Sequence, residues 1–312
     1  MRWADRAGSE YLLRKIGKAE TSLGPRGSQT EDAYRAFING RNENNTKLVN
    51  LAKRLDELAP VNRAMGIGRI PTTSARILRL CDENNLLGEQ LFVVGTNAIF
   101  AYEVMAGVQA QSGILSTGDI DLLFDARRHI TLALESFRAS GLIGLLKQVD
   151  RSFEPVRPRA FRAANKDGYL VDLIRPEAKD VFRDTLAASL TDLPDDLEGA
   201  AIFGLAWLVN SPKVQAIAID ERGYPVRIVA IDPRAFALHK FWVSARPDRE
   251  PIKAARDREQ ARIVATIATR YLRQSFESAD LTALPNDLRQ LAPQLLEANE
   301  TVEGPKTGQP NW

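Results

Sequence analysis

Cysteine and histidine are nearly missing from this chain: Cys81, His129 and His239 are all that its 312 residues contain. One cysteine excludes an internal disulfide, and so small a Cys/His set excludes a structural zinc cage. An excess of charge is missing as well, with 42 Lys plus Arg against 40 Asp plus Glu. That balance argues against a protein that grips nucleic acid by coating itself in positive charge, while leaving room for a local basic patch. No apolar run approaches the roughly 20 residues of a membrane helix, and the opening Met1-Arg2-Trp3-Ala4-Asp5-Arg6 has no signal-peptide core. The expected setting is therefore the reducing cytoplasm, with no membrane partner. Any metal chemistry has to rest on carboxylates and a hard cation.

What is present is the composition of a folded globular chain, 44% apolar and 26% charged, long enough for about two domains of roughly 150 residues. The expected organisation is an arm over 1–65, an α/β core over 66–176, a mixed C-terminal region over 177–299 and a disordered tail over 300–312. The arm reads as a hairpin to about Ile16, a break at Gly24-Pro25-Arg26-Gly27, and a polar helix ending at Ala59-Pro60. In the core, an amphipathic helix from Thr73 or Ser74 carries Ile77, Leu78 and Leu80, with Cys81 on its apolar side. The apolar runs Leu91–Val94, Asp119–Phe124 and Tyr169–Ile174 read as buried strands, and helices are expected over Ala98–Ala106 and Arg128–Ser140. Further on, a helix over Leu197–Leu208, a hairpin around Asp220–Pro225, and helices from Asp232, over Pro251–Arg273 and over Leu284–Ala298 complete the pattern.

The chemistry lies in three acids. Asp119 and Asp121 alternate with Ile120 and Leu122, so on a strand both carboxylates face one way, about 6.6 Å apart along the backbone. Two such acids side by side repel each other unless a cation neutralises them, and an oxygen-only donor set favours Mg²⁺ or Mn²⁺. Asp172 interrupts the apolar run Leu170–Ile174, where an unpaired charge is expensive. If that strand lies beside the first, three carboxylates surround the metal ions, an arrangement suited to in-line displacement at phosphorus, with Asp172 as ligand or general base. Gly95-Thr96-Asn97, between a strand and a helix, supplies a phosphate cradle of backbone N–H groups, to which Thr96 or Asn97 can add a side-chain hydrogen bond.

Val93-Val94-Gly95-Thr96, then Thr117-Gly118-Asp119-Ile120-Asp121-Leu122-Leu123, then Val171-Asp172-Leu173-Ile174, in that order, resemble the DNA polymerase β-like nucleotidyltransferase superfamily. Ser22-Leu23-Gly24-Pro25-Arg26 and Gly68-Arg69-Ile70-Pro71 extend the likeness to a bacterial family of nucleotidyltransferase-fold proteins of largely unassigned substrate. The resemblance implies an α+β fold, with a short mixed sheet and flanking helices. It also implies transfer of a nucleoside monophosphate from an NTP, most simply ATP, to an acceptor hydroxyl with release of pyrophosphate. Asp119, Asp121 and Asp172 then bind the metal, and Gly95, Thr96 and Asn97 hold phosphate. A lysine from a helix behind the core commonly meets the triphosphate in such enzymes, and Lys240 matches that role. Two departures stand out. The interval from Thr96 to Asp119 is wider than usual, which implies an insertion around Gly107–Gly113, and Thr96 replaces the usual Gly or Ser.

The acceptor, whether RNA, protein or small molecule, is not written in the sequence. Two alternatives stand beside the enzyme: a catalytically weak nucleotide-binding regulator, and an RNA-binding module using Lys147, Arg151, Arg157, Arg159 and Arg162. Lys253 and the two histidines read as structural, and Asp257 as the partner of a neighbouring cation.

Overall fold

The structure, a computed structural model, describes all residues except 7, 18, 111, 116, 128–134, 179–187 and 298–312. His129, the start of the helix expected from Arg128, and the tail expected over 300–312 lie outside the described residues. The chain divides into two compact units, Met1–Val61 and Asn62–Trp312.

In the first unit, β1 (Arg2–Arg6), β2 (Ser9–Ile16) and β3 (Ala19–Pro25) form a three-stranded antiparallel sheet, and α1 (Ser28–Ala64) follows. The hairpin is where the alternation predicts it, but the structure adds β3, an unexpected strand that runs into the break expected at Gly24-Pro25-Arg26-Gly27. Its side chains are mostly exposed, so it carries no apolar alternation and is held by its backbone ladder to β2. The helix also runs past its expected stop and takes in Pro60. A proline this near a helix end forfeits one hydrogen bond without breaking the turns before it.

The second unit is built on a nine-stranded mixed sheet in the order β4-β11-β12-β5-β6-β9-β8-β7, with β10 also paired to β9. Its elements are β4 (Gly68–Ile70), α2 (Thr72–Glu83), β5 (Leu91–Val94), α3 (Ile99–Ala106), α4 (Ser112–Leu115), β6 (Asp119–Phe124), α5 (Glu135–Val149), β7 (Glu154–Pro155), β8 (Arg162–Ala164) and β9 (Leu170–Pro176). They continue with β10 (Ala200–Ile202), α6 (Leu205–Asn210), β11 (Lys213–Asp220), β12 (Pro225–Ile231), α7 (Pro233–Ser244) and α8 (Pro251–Thr266). The sheet is longer than the short one expected because the β11–β12 hairpin inserts between β4 and β5, each of which it meets in parallel. Ile77, Leu78 and Cys81 of α2 are fully buried, and burial pushes the Cys81 thiol up to about 12, leaving an inert core group.

Two expected helices differ. Over Leu197–Leu208 the chain first adds β10 beside β9, turns at Gly204 (φ +89°), and only then enters α6. The apolar run is too short and too uniform for its period to separate strand from helix. Leu284–Ala298 is two pieces, α9 (Asn286–Arg289) and α10 (Ala292–Glu297), with Pro293 in the first turn of the second, a position that proline tolerates but that a continuous helix would forbid. The insertion implied around Gly107–Gly113 is tied down at its root. Arg69 donates to the Glu103 carboxylate at 3.0 Å and to the Ala110 carbonyl at 2.9 Å, and the Ala110 N–H donates to Glu103 at 2.6 Å.

Candidate active site

Strands β6 and β9 run parallel, with Asp121 directly opposite Asp172 and Asp119 opposite Leu170. The next strand, β8, sets Arg162 opposite Asp172, so Asp121, Asp172 and Arg162 lie in one row across three strands. On the other side, β5 ends with Val94 opposite Asp121, and Asp119 projects beyond it beside the turn that begins at Gly95. The three acids are thus brought together by strand register alone.

Gly95 has φ +64°, and a Cβ placed there would stand 2.0 Å from the Asp121 Oδ2. Only glycine allows both the left-handed backbone and the approach of that carboxylate. Burial pushes the Asp121 carboxyl up to about 7, and Asp119 and Asp172 add to the rise while Lys240 and Arg162 oppose it. No hydrogen bond to the Asp121 carboxylate comes from the described residues. Asp119 is wired differently: Thr117 Oγ1 donates to its Oδ1, and the Asn97 amide donates to its main-chain carbonyl at 2.8 Å.

Asp172 is held in a bidentate ion pair, with Arg162 Nε donating to Oδ1 at 2.6 Å and Nη2 to Oδ2 at 2.5 Å. Lys240 Nζ donates to Asp257 Oδ1 at 2.5 Å, and Arg249 holds the other oxygen of Asp257. Among the described residues, no three His, Cys, Asp or Glu side chains stand close enough together to grip an ion as they are placed. Asp119 and Asp121 nevertheless fit a hard cation. They are half-buried oxygen donors on one face, and Asp121 is repelled by its neighbours and short of a proton donor. Asp172 is a partner of Arg162 first.

The turn expected as a phosphate cradle makes side-chain contacts of its own. Gly95–Ala98 forms a tight turn leading into α3, as the strand-then-helix reading requires. The Thr96 hydroxyl accepts hydrogen bonds from Arg256 Nη2 at 3.2 Å and Gln260 Nε2 at 3.0 Å, both on α8, and so docks that helix on the turn. Asn97, also buried, is spent on Asp119 and leaves its Oδ1 unpartnered among the described residues. What the turn can offer a phosphate is main-chain N–H.

A cleft of about 450 Å³ opens beside Thr117 and Tyr169, next to Asp119, and is walled by Arg69, Pro71, Phe100 and Leu115.

A family profile described as nucleotidyltransferase matches residues 72–285, from the first turn of α2 to just before α9. The chain belongs to this nucleotidyltransferase family. It is a nucleotidyltransferase enzyme of α+β fold, and the acid pair, the third strand acid and the glycine turn all fall inside the matched span. No curated protein matches the chain. Among solved structures, an antigenic nucleotidyltransferase-like protein from Paracoccidioides brasiliensis aligns with 75% of this chain and 96% of its own at 14% identity, with a TM-score of 0.34. Among the described residues of this nucleotidyltransferase, no helix is long and apolar enough to cross a membrane.

Several residues of the site escaped sequence reasoning. Arg162 read as one member of a basic stretch, yet it alone of that stretch binds the third acid; Lys147 and Arg159 pair with Glu154 and Glu198. The signal was its place on β8 ten residues before Asp172, visible only once a hairpin is assumed there. Thr117 stands in the motif Thr117-Gly118-Asp119 with no role assigned to it there, and Arg256 and Gln260 gave no sign of their contact because its partner, Thr96, is distant in sequence. Lys253 pairs with Glu250 on the surface, and Asp257 takes both Lys240 and Arg249.

Proposed function

We propose that this nucleotidyltransferase uses a divalent cation, most simply Mg²⁺, to move a nucleoside monophosphate from an NTP, with ATP the first candidate, to a hydroxyl on an acceptor. The observation that carries this reading is Gly95 packed against Asp121, in register with Asp172: a cradle turn pressed onto a destabilised acid pair. When bound, the cation neutralises phosphate oxygens and makes the acceptor hydroxyl easier to deprotonate. Asp119 and Asp121 would hold it, with Asp172 completing the oxygen set.

The chain's own residues supply the rest. Thr117 and Asn97 fix Asp119, and Gly95 keeps space for the Asp121 carboxylate. The N–H groups of the Gly95–Ala98 turn face the phosphates, and Lys240, aimed by Asp257, offsets the charge that builds on the leaving pyrophosphate. Arg162 holds Asp172 with both oxygens oriented, and Asp172, where it is not a ligand of the cation, takes the acceptor's proton on a remaining lone pair as the hydroxyl attacks the α-phosphorus. The cleft beside Thr117 and Tyr169 is the entry assigned to the acceptor, because it opens next to Asp119. The compartment assigned is the cytoplasm.

Incubation with each α-labelled NTP, Mg²⁺ or Mn²⁺ and a cell extract tests this. Label should pass to one class of molecule and fail to do so with Asp119→Asn plus Asp121→Asn. Transfer that survives the double substitution sinks the reading, while cation-dependent NTP binding with no transfer to anything favours the regulator.

A further inference from the structure

Helix α1 carries a bare stretch: every residue over 41–58, about five turns, is exposed. The stretch has little support of its own. Asn42, Asn44, Asn45, Thr46 and Asn50 are weak helix formers, and the Lys53–Glu57 pair, 3.9 Å apart, is exposed on both sides. A helix of that composition is held by what packs on it.

Leu48, Leu51, Leu55 and Leu58 follow one another at steps of three, four and three residues. That is the a and d spacing of a coiled coil, a narrower seam than the stripe a helix turns to a globular core. The four leucines are 37% to 64% exposed. Tyr34 and Phe37 stand in the same register two heptads earlier, and both are half-buried, with Trp3 of β1 against Tyr34 at 5.6 Å. The stripe is thus covered by the chain's own sheet at one end and bare beyond it. What fits the bare part is a second helix with leucines at matching steps, so that each side chain enters a hole among four of the other helix.

We propose that a second copy of this chain covers the seam, the two α1 helices forming a parallel coiled coil over Leu48–Leu58. The flanking charges suit that pairing. Lys47 and Arg54 border the leucines on one side, and Asn45 and Ala52 on the other. Side by side and parallel, Lys47 of one copy faces Ala52 of the other and like charges stay apart, whereas an antiparallel pair sets Arg54 against Arg54. Four leucines from each copy, with the stems of Lys47 and Arg54 laid along them, remove on the order of 1,000 Å² from water, the lower end of specific interfaces. The dimer is therefore a reversible one. It does not depend on the transfer chemistry assigned to the second unit.

Sedimentation equilibrium of the full chain over a dilution series tests this, and should show monomer in exchange with dimer. Leu51→Lys plus Leu55→Lys, at positions exposed in the single chain, should raise the dimer Kd on the order of 100-fold or more, since each copy then buries two unpaired charges. Val49→Lys removes an equally exposed apolar side chain that lies off the seam, and should leave the Kd as it was. Leu51→Cys should yield a disulfide-linked dimer on mild oxidation, because a parallel pair sets the two positions side by side; Cys81 is buried and should take no part. A chain that is monomeric at every concentration overturns the proposal. So does a dimer that survives the double lysine substitution, or one that Val49→Lys disrupts as strongly. A dimer in which Leu51→Cys fails to cross-link overturns the parallel pairing. A monomer whose Tm falls with the double substitution would show instead that another part of the same chain covers the seam.

Discussion

Asp121 and Asp220 are both aspartates on strands of one sheet, and their surroundings are opposite. Asp220, at the end of β11, is fully buried and fully served: its Oδ1 accepts from the N–H groups of Arg222 at 3.0 Å and Tyr224 at 2.9 Å, and its Oδ2 from Arg79 at 2.8 Å. Asp121, in β6, faces Asp119 and Asp172, has the Gly95 turn pressed on it, and takes no hydrogen bond on its carboxylate from the described residues. The first carboxylate closes a hairpin and clamps α2 to it. The second is held in a state that only a proton or a cation relieves. Asp220 is the more deeply buried of the two, so depth of burial does not mark function; unmet electrostatic demand does.

Gly95→Ala should separate the two regions most sharply. The new Cβ collides with the Asp121 carboxylate, and a displacement of about 1 Å at such a site costs on the order of 100-fold in rate. Single-turnover transfer and Mn²⁺ binding should both fall, while the Asp220 hairpin is untouched.

The next effect in size is on stability. Asp220→Ala strands two main-chain N–H groups and leaves Arg79, still bonded to the Tyr224 and Pro225 carbonyls, without its counter-charge, and should cost about 3 kcal/mol in urea unfolding. Any loss of transfer should track the unfolded fraction. A transfer defect in fully folded Asp220→Ala would erase the contrast between the two aspartates.

Asp121→Asn should do the reverse, abolishing transfer while protecting the fold at neutral pH. Folding raises the Asp121 pKa from 3.8 to about 7, so the protonated carboxyl favours the folded state below about pH 4, and that contribution is lost as pH rises through 7. In EDTA, the Tm of the unaltered chain should therefore fall between pH 4 and pH 8, with Asp121→Asn higher by roughly 2–4 °C at the upper end. Mg²⁺ should shrink the gap at pH 8. A gap that persists at pH 4, or that opens on acidification, contradicts the wiring described for this acid.

The smallest change is expected at Lys253, whose pair with Glu250 is exposed on both sides. Lys253→Ala should move stability by less than about 0.5 kcal/mol and leave transfer as it was, in contrast to Lys240→Met.

Much of the candidate site was legible because its signals are local. Alternation set Asp119 and Asp121 on one face, the glycine before a helix marked the tight turn, and an acid inside the apolar run at Asp172 declared its own cost. β3 and β10 were not legible, since one is exposed along its length and the other is a short part of a run without a period. Thr96 carries a contact the sequence did not show: its hydroxyl accepts from Arg256 and Gln260 and so holds α8.

The sequence by itself determined which atoms are available for chemistry. With one cysteine and two histidines, the donors that Asp119, Asp121 and Asp172 offer are hard oxygens, and the stretch that holds them lies within the span matched by the nucleotidyltransferase family. Tertiary structure alone decided how those atoms are engaged. Strand register set Asp121 opposite Asp172 and brought Arg162 onto it from ten residues away, while helix packing gave Lys240 to Asp257. Pairing between distant segments depends on which faces the whole sheet buries, and no window of neighbouring residues contains that choice.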